Sequence, residues 1–161
     1  MEPICLMTSS DFVFRWYRAA DEAAVMALFR SNIAPYFLDS EASDLCNFLR
    51  QEPGAYFVAE WRAGTALAGQ LAAAGGYALN NPHAVLTWGM VDRSLHGQGV
   101  GRAFTQFRIA ACRQAFPGRA IEINTSQHTA EFYEKLGFRT LAVEVGGWGP
   151  GLDNVHMLLP A

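Results

Sequence analysis

The chain has 161 residues, 51% of them hydrophobic and 17% charged, which suits a globular chain with one core rather than a disordered one. A formal charge of −3 leaves no general excess of Lys and Arg for a nucleic-acid partner, and no apolar run reaches the ~18 residues that a membrane helix needs. Cys5, Cys46 and Cys112 are isolated and form neither a metal-type nor a redox pair, so no metal is expected and a reducing cytoplasm is the simplest compartment.

Residues 1–10 read as a loose leader; Glu2 and the lack of a basic segment before the apolar patch at 4–7 are unlike a signal peptide. Residues 12–18 alternate apolar and polar side chains and read as a strand. Asp21 can cap a helix whose apolar face is Ala24, Val25, Leu28 and Phe29. After a loop over 33–39, Ser40 or Ser43 starts a second helix that runs to Arg50 and stops at Pro53-Gly54. Residues 56–61 form a strand, and Ala63-Gly64 turns into a long small-residue strand over 66–79. Asn80-Asn81-Pro82 is a strong turn, so residues 85–91 return antiparallel. A glycine-rich stretch leads into a helix over 102–115, ended by Pro117-Gly118. Then come a buried strand at 120–124, a helix at 126–136 ended by Gly137, a strand at 138–145, a Gly-rich loop and a last strand at 155–159. No repeat, linker or composition break divides the chain, so one domain over 1–161 is expected. Two late strand–helix–strand crossovers imply a mixed sheet with helices on both faces.

The run His96-Gly97-Gln98-Gly99-Val100-Gly101-Arg102 joins the end of an apolar strand to the start of a helix. Glycines on alternate positions remove every Cβ that would keep a ligand from the backbone. The first free N–H groups of a helix, with the positive end of its dipole, bind anions, so a phosphate-bearing ligand is expected. The element order is unlike a dinucleotide-binding fold, which alternates strands and helices from the start. The glycine spacing agrees, since Arg102 or Phe104 stands where G-x-G-x-x-G needs its third small residue. Glu122, ~20 residues past the loop, is the one residue placed as a ribose-binding acid would be.

The second informative block is the helix at 126–136. Ser126 is a good N-cap, and Gly137 can take the left-handed position after the helix with Phe138 folding back. Ser126, Thr129, Tyr133 and Leu136 share a face, which aims the Tyr133 hydroxyl at the gap bordered by the glycine loop.

In these blocks the chain resembles the GNAT superfamily of acyl-CoA-dependent N-acetyltransferases. The stretch Val91-Asp92-Arg93-Ser94-Leu95 followed by His96–Gly101 matches the family's pyrophosphate loop, [QR]-x-x-G-x-[GA]. Residues 130–138, Ala130 to Phe138, match its A-x-x-Y-x-x-x-G-F type helix with an offset alanine. Three departures stand out. His96 replaces the usual Gln or Arg, Arg93 stands where proline is common, and the strand over 86–91 lacks the glutamate that serves some members as base.

The resemblance implies an α/β (α+β) fold with a mixed, mostly antiparallel sheet of six to seven strands. It implies transfer of an acetyl group from acetyl-CoA, as co-substrate, to an amine of a small molecule or peptide; a homodimer is compatible with it. The cofactor contacts it assigns are Met90, Val91, His96, Gly97, Gln98, Gly99, Val100, Gly101, Arg102, Asn124, Phe132, Tyr133 and Lys135. Gly89 marks the expected bulge on the strand before the loop, with Met90 supplying an N–H to the thioester. Tyr133 would protonate the departing thiolate. A free alkyl amine has a pKa of ~10, so a base or water chain must remove its proton. Glu122 ranks first for that role, His83 second and His128 third. The acceptor site falls to the loops at 33–39 and 146–154, with Tyr36, Phe37, Asp39, Trp148 and Asp153, and with His156 on the last strand. Two other readings remain: a CoA-binding regulator without turnover, and a transferase of a longer acyl group.

Overall fold

The computed structural model describes residues 11–161; the expected leader lies outside them. The strands are β1 (Phe12–Trp16), β2 (Ala55–Trp61), β3 (Leu71–Asn80), β4 (His83–Val91), β5 (Ile121–Thr125), β6 (Arg139–Gly149) and β7 (Leu152–Leu159), and the helices α1 (Glu22–Ser31), α2 (Ala42–Arg50), α3 (Val100–Ala115) and α4 (Ala130–Glu134). They form one seven-stranded sheet in the order β1-β2-β3-β4-β5-β7-β6. Every pairing is antiparallel except that of β4 with β5. Among the described residues no helix is long and apolar enough to cross a membrane.

Strand alternation divides the interior into two clusters. On β2, Tyr56 and Val58 join Val25, Leu28, Phe29 and Leu45 of α1 and α2, whereas Phe57 and Ala59 join Phe104, Phe107 and Cys112 of α3. The small residues of β3, Ala72, Ala73 and Ala74, are fully buried, which lets helices approach both faces of the sheet.

β4 changes face partway along. Leu86 belongs to the α3 cluster, but Trp88 and Met90, two and four residues on, pack in the α1–α2 cluster. The register explains the switch: Gly76 pairs with Thr87 and Ala74 with Met90, so β4 carries one extra residue there. Such a bulge flips every following side chain to the opposite face. The strained residue is Trp88, with φ +39°, rather than Gly89.

Several expected boundaries shift. β3 starts at Leu71, because residues 62–70 wind into turns closed by Ala68 N–H to Thr65 C=O and by Gly69 N–H to Trp61 C=O. Asp21 does not cap α1; its carboxylate takes both terminal nitrogens of Arg15 and the Arg18 N–H. The helix expected over 126–136 is regular only at Ala130–Glu134. Ser126 C=O accepts the N–H groups of Thr129 and Ala130, so the chain turns before it becomes helical. Gly137 is left-handed at φ +101°, and Phe138 N–H closes on Tyr133 C=O. β6 runs through the expected Gly-rich loop as far as Gly149.

Candidate active site

The sheet divides where β4 meets β5. The two strands pair only at Ala84–Ile121 and Val85–Glu122. Past that point a cavity of about 830 Å³ opens, lined by residues 86–91 of β4 and 123–125 of β5. Two strand edges that no longer pair leave backbone donors and acceptors free for a ligand.

The glycine loop borders this cavity. Gly97 and Gly99 are left-handed, at φ +78° and +83°, and Gly99 is the N-cap of α3. A Cβ at either would meet nothing within 4 Å, whereas one at Gly101 would sit 3.4 Å from Val91 and 3.6 Å from Phe132. The first helical bond runs from Ala103 N–H to Gly99 C=O, which leaves the preceding amides without helical acceptors. Gly97, Gly99, Gly101, Met90, Val91, Arg102, Asn124, Phe132 and Lys135 all line the cavity, and Gln98 and Val100 do not. Gln98 turns back to donate to Ser94 C=O. His96 lines the cavity, yet its Nε2 lies 3.0 Å from Val91 C=O. That nitrogen must carry the proton to donate to a carbonyl.

Tyr133 also reaches the cavity from α4 while remaining buried. Burial pushes its phenol up from the ordinary value, and the nearby Arg108 guanidinium partly opposes this by charge and hydrogen bond. Arg108 is the residue that sequence reasoning missed. It is 1% exposed, and it donates to Gly76 C=O and Thr87 C=O at 2.9 and 3.0 Å. A Cβ at Gly75 or Gly89 would fall 2.6 or 2.5 Å from the guanidinium. Those two glycines make room for the side chain that braces the bulge. Tyr56 braces it from the other face, its hydroxyl donating to Trp88 C=O at 2.9 Å. A signal for Arg108 existed: it recurs at helical spacing with Phe104, Ala111 and Cys112, on the buried face of α3.

On the acceptor side, loops meet over the cavity. Tyr36 packs edge-on against His96, with centroids 5.0 Å apart, and faces His128 at 6.3 Å. Trp148 donates from its indole N–H to Thr125 C=O at 2.9 Å. Tyr36, Phe37, His128 and Trp148 line the cavity; Asp39, His83 and Asp153 do not. The structure does not bring Glu122 or His156 there either. They pair with each other at 3.4 Å, and Asn80 donates to Glu122 at 2.6 Å. Glu122 sits at the closed end of the split, where β4 and β5 are still paired. Glu41, to which the sequence pattern gave no role, does line the cavity.

A family model described as an acetyltransferase (GNAT) domain matches residues 45–159, and the chain belongs to that family. No curated protein matches the sequence. Among solved structures, a GCN5-related N-acetyltransferase from Kribbella flavida is 20% identical, with 96% of this chain and 100% of that one covered and a TM-score of 0.71. The ribosomal-protein-S18-alanine N-acetyltransferase of Escherichia coli is 18% identical over 92% of this chain and 93% of its own, at a TM-score of 0.70. The yncA protein of Salmonella typhimurium, solved with its cofactor acetyl-CoA, is 16% identical over 94% of each chain, at 0.69. At these identities the likeness concerns the fold.

Proposed function

We propose that this protein is an N-acetyltransferase that moves the acetyl group of acetyl-CoA directly onto an amine of a small molecule or peptide. The observation that carries this reading is the opening of the glycine loop and the Tyr133 side chain onto one cavity, between two strands that have ceased to pair. Left-handed Gly97 and Gly99 set the loop so that the free amides at the start of α3 can receive a pyrophosphate. Arg102 and Lys135 add positive charge along the same wall. The unpaired edges of β4 and β5, with Asn124, suit the amides of a pantetheine arm. The bound co-substrate supplies the activated acetyl group as a thioester.

The residues then have distinct tasks. The bulge held by Arg108 and Tyr56 fixes the backbone over 88–90, so that an amide such as that of Met90 can meet the developing oxyanion without reorganising. The amine nitrogen, having lost its ammonium proton to water, bonds to the carbonyl carbon; the carbon–sulfur bond breaks and Tyr133 gives its proton to the sulfur, while the proton shed by nitrogen as the amide forms returns through water to the Tyr133 oxygen. A thiol leaving group with a pKa of ~8.5 gains from such a donor. Glu122 and His156 stand outside the cavity, where their mutual contact accounts for them. Supporting the reading, similar folds include a protein solved with acetyl-CoA and an enzyme named for acetylating a ribosomal protein. The test is thiol release from acetyl-CoA across amines, polyamines, aminoglycosides and peptides. Amine-dependent release with acetylated product is expected; CoA binding without turnover on any amine would instead make the protein a CoA-binding regulator.

A further inference from the structure

Glu41 is a buried carboxylate that no described side chain neutralises. It is 9% exposed and lines the cavity on the side of α1 and α2. One of its oxygens, Oε2, accepts the Leu38 N–H at 2.8 Å. No described residue donates to Oε1. No Lys or Arg among the described residues forms an ion pair with it, and the charge acting on it from nearby is that of Asp44, also negative. Leaving a carboxylate in such a place is costly unless a cation meets it.

The surroundings suit one kind of cation. Phe37, Phe48 and Trp88 line the same cavity, and Trp88 lies 6.3 Å by ring centroid from each of the two phenylalanines. The β4 bulge is what turns Trp88 to this face. Aromatic faces attract an ammonium through the ring quadrupole. Thr87 lines the cavity as well, and its Oγ1 is a buried oxygen without a hydrogen-bond partner. An N–H donor is what this oxygen lacks.

We infer that Glu41, Phe37, Phe48 and Trp88 form an ammonium-binding subsite, in which the acceptor enters as a cationic amine with its charge on Glu41. The inference rests on the acetyl-transfer reading for the fate of the amine but not for its binding. A neutral or acidic acceptor is disfavoured by the same carboxylate.

Titration calorimetry with benzylammonium chloride and with benzyl alcohol, its neutral counterpart, tests this. The wild-type protein should bind benzylammonium at least about tenfold more tightly, and Glu41→Gln should abolish the preference while leaving CoA affinity unchanged. Equal affinity for the two probes, no saturable benzylammonium binding, or a preference that survives Glu41→Gln would overturn the inference. Glu41→Asp, which keeps the charge on a shorter stem, replaces Glu41→Gln if that variant does not fold and should lower the preference several-fold. CoA titration in the same series separates the two readings. Loss of CoA binding by the wild type would sink acetyl transfer and leave the ammonium comparison readable.

Discussion

The Tyr133 phenol stays protonated across neutral pH, because burial makes its phenolate unfavourable and Arg108 offsets that only in part. Tyr133→Phe removes the hydroxyl and preserves the packing against Phe132 and Phe138. It should lower kcat by about 10²–10⁴, the span of a positioned acid, with little change in KM for acetyl-CoA. Steady-state kinetics check this, and a variant keeping half the wild-type kcat with chemistry rate-limiting would remove Tyr133 from the mechanism. Glu41 gives a second expectation. Burial first, and Asp44 second, hold its carboxyl above the ordinary range despite the Leu38 N–H. A folded-state pKa above the unfolded value means that ionisation costs stability as pH rises through the unfolded and then the folded pKa. Glu41→Gln should therefore melt above wild type at pH 7, with the difference closing below the unfolded glutamate pKa of ~4.3. A lower Tm for the variant at pH 7 would contradict this.

At the scale of elements, the glycine loop and the β4 bulge border the candidate site. Gly99→Val places a β-branched residue at φ +83°, and its side chain would project where a pyrophosphate must approach. CoA affinity should fall by tenfold or more while circular dichroism keeps the wild-type shape; unchanged affinity in a folded variant would mean that the loop does not hold the phosphates. In the bulge, Arg108→Leu leaves Gly76 C=O and Thr87 C=O without their donor, each worth about 1–3 kcal/mol when buried and unpaired. Urea unfolding should show a loss of about 2–4 kcal/mol. The loop was legible because Gly97, Gly99 and Gly101 act locally, through φ and through the space beside the backbone. The bulge was half legible. Gly89 marked its place, but the strained residue is Trp88, and only the register with β3 shows the switch of face. The place of Glu122 at the closed end of the split was not legible, because strand position gives burial without telling which end of the split a residue occupies. Glu41 and Arg108 gain their meaning from partners such as Trp88 and Gly75, distant in sequence, which no local pattern brings together. The short α4 and the late start of β3 were hidden for a simpler reason: turn hydrogen bonds around Ser126 and Gly69 outcompeted the periodic pattern.

Across the whole molecule, one sheet separates two cores, and the candidate site lies where that sheet opens. The opposite edge is held by charge. Arg15 on β1 binds Asp21 before α1 and Glu60 on β2, at 2.8 and 2.7 Å. Burial alone would raise the Asp21 carboxyl, but Arg15 and the Arg18 N–H together hold it below the ordinary range. A depressed carboxylate contributes stability above its unfolded pKa of ~3.9 and loses it as pH falls through the folded value. Wild type should thus lose more stability between pH 5 and pH 2 than Asp21→Asn does, by chemical denaturation at each pH. Parallel losses would assign the acid sensitivity elsewhere. The element order and the crossover from β4 through α3 to β5 were legible at this scale, since turns such as Asn80-Asn81-Pro82 punctuate the chain. The insertion of β7 between β5 and β6 is a matter of long-range pairing.

On the proposed function, the split in this sheet is where an acetyl group passes from CoA to an amine. Thiol release from acetyl-CoA, measured across an amine panel with mass spectrometry of the product, tests it most directly. The expected result is saturable release that requires a primary amine, yields the N-acetylated product, and falls by about 10²–10⁴ in Tyr133→Phe. Tight CoA binding with no amine raising thiol release above background would contradict it.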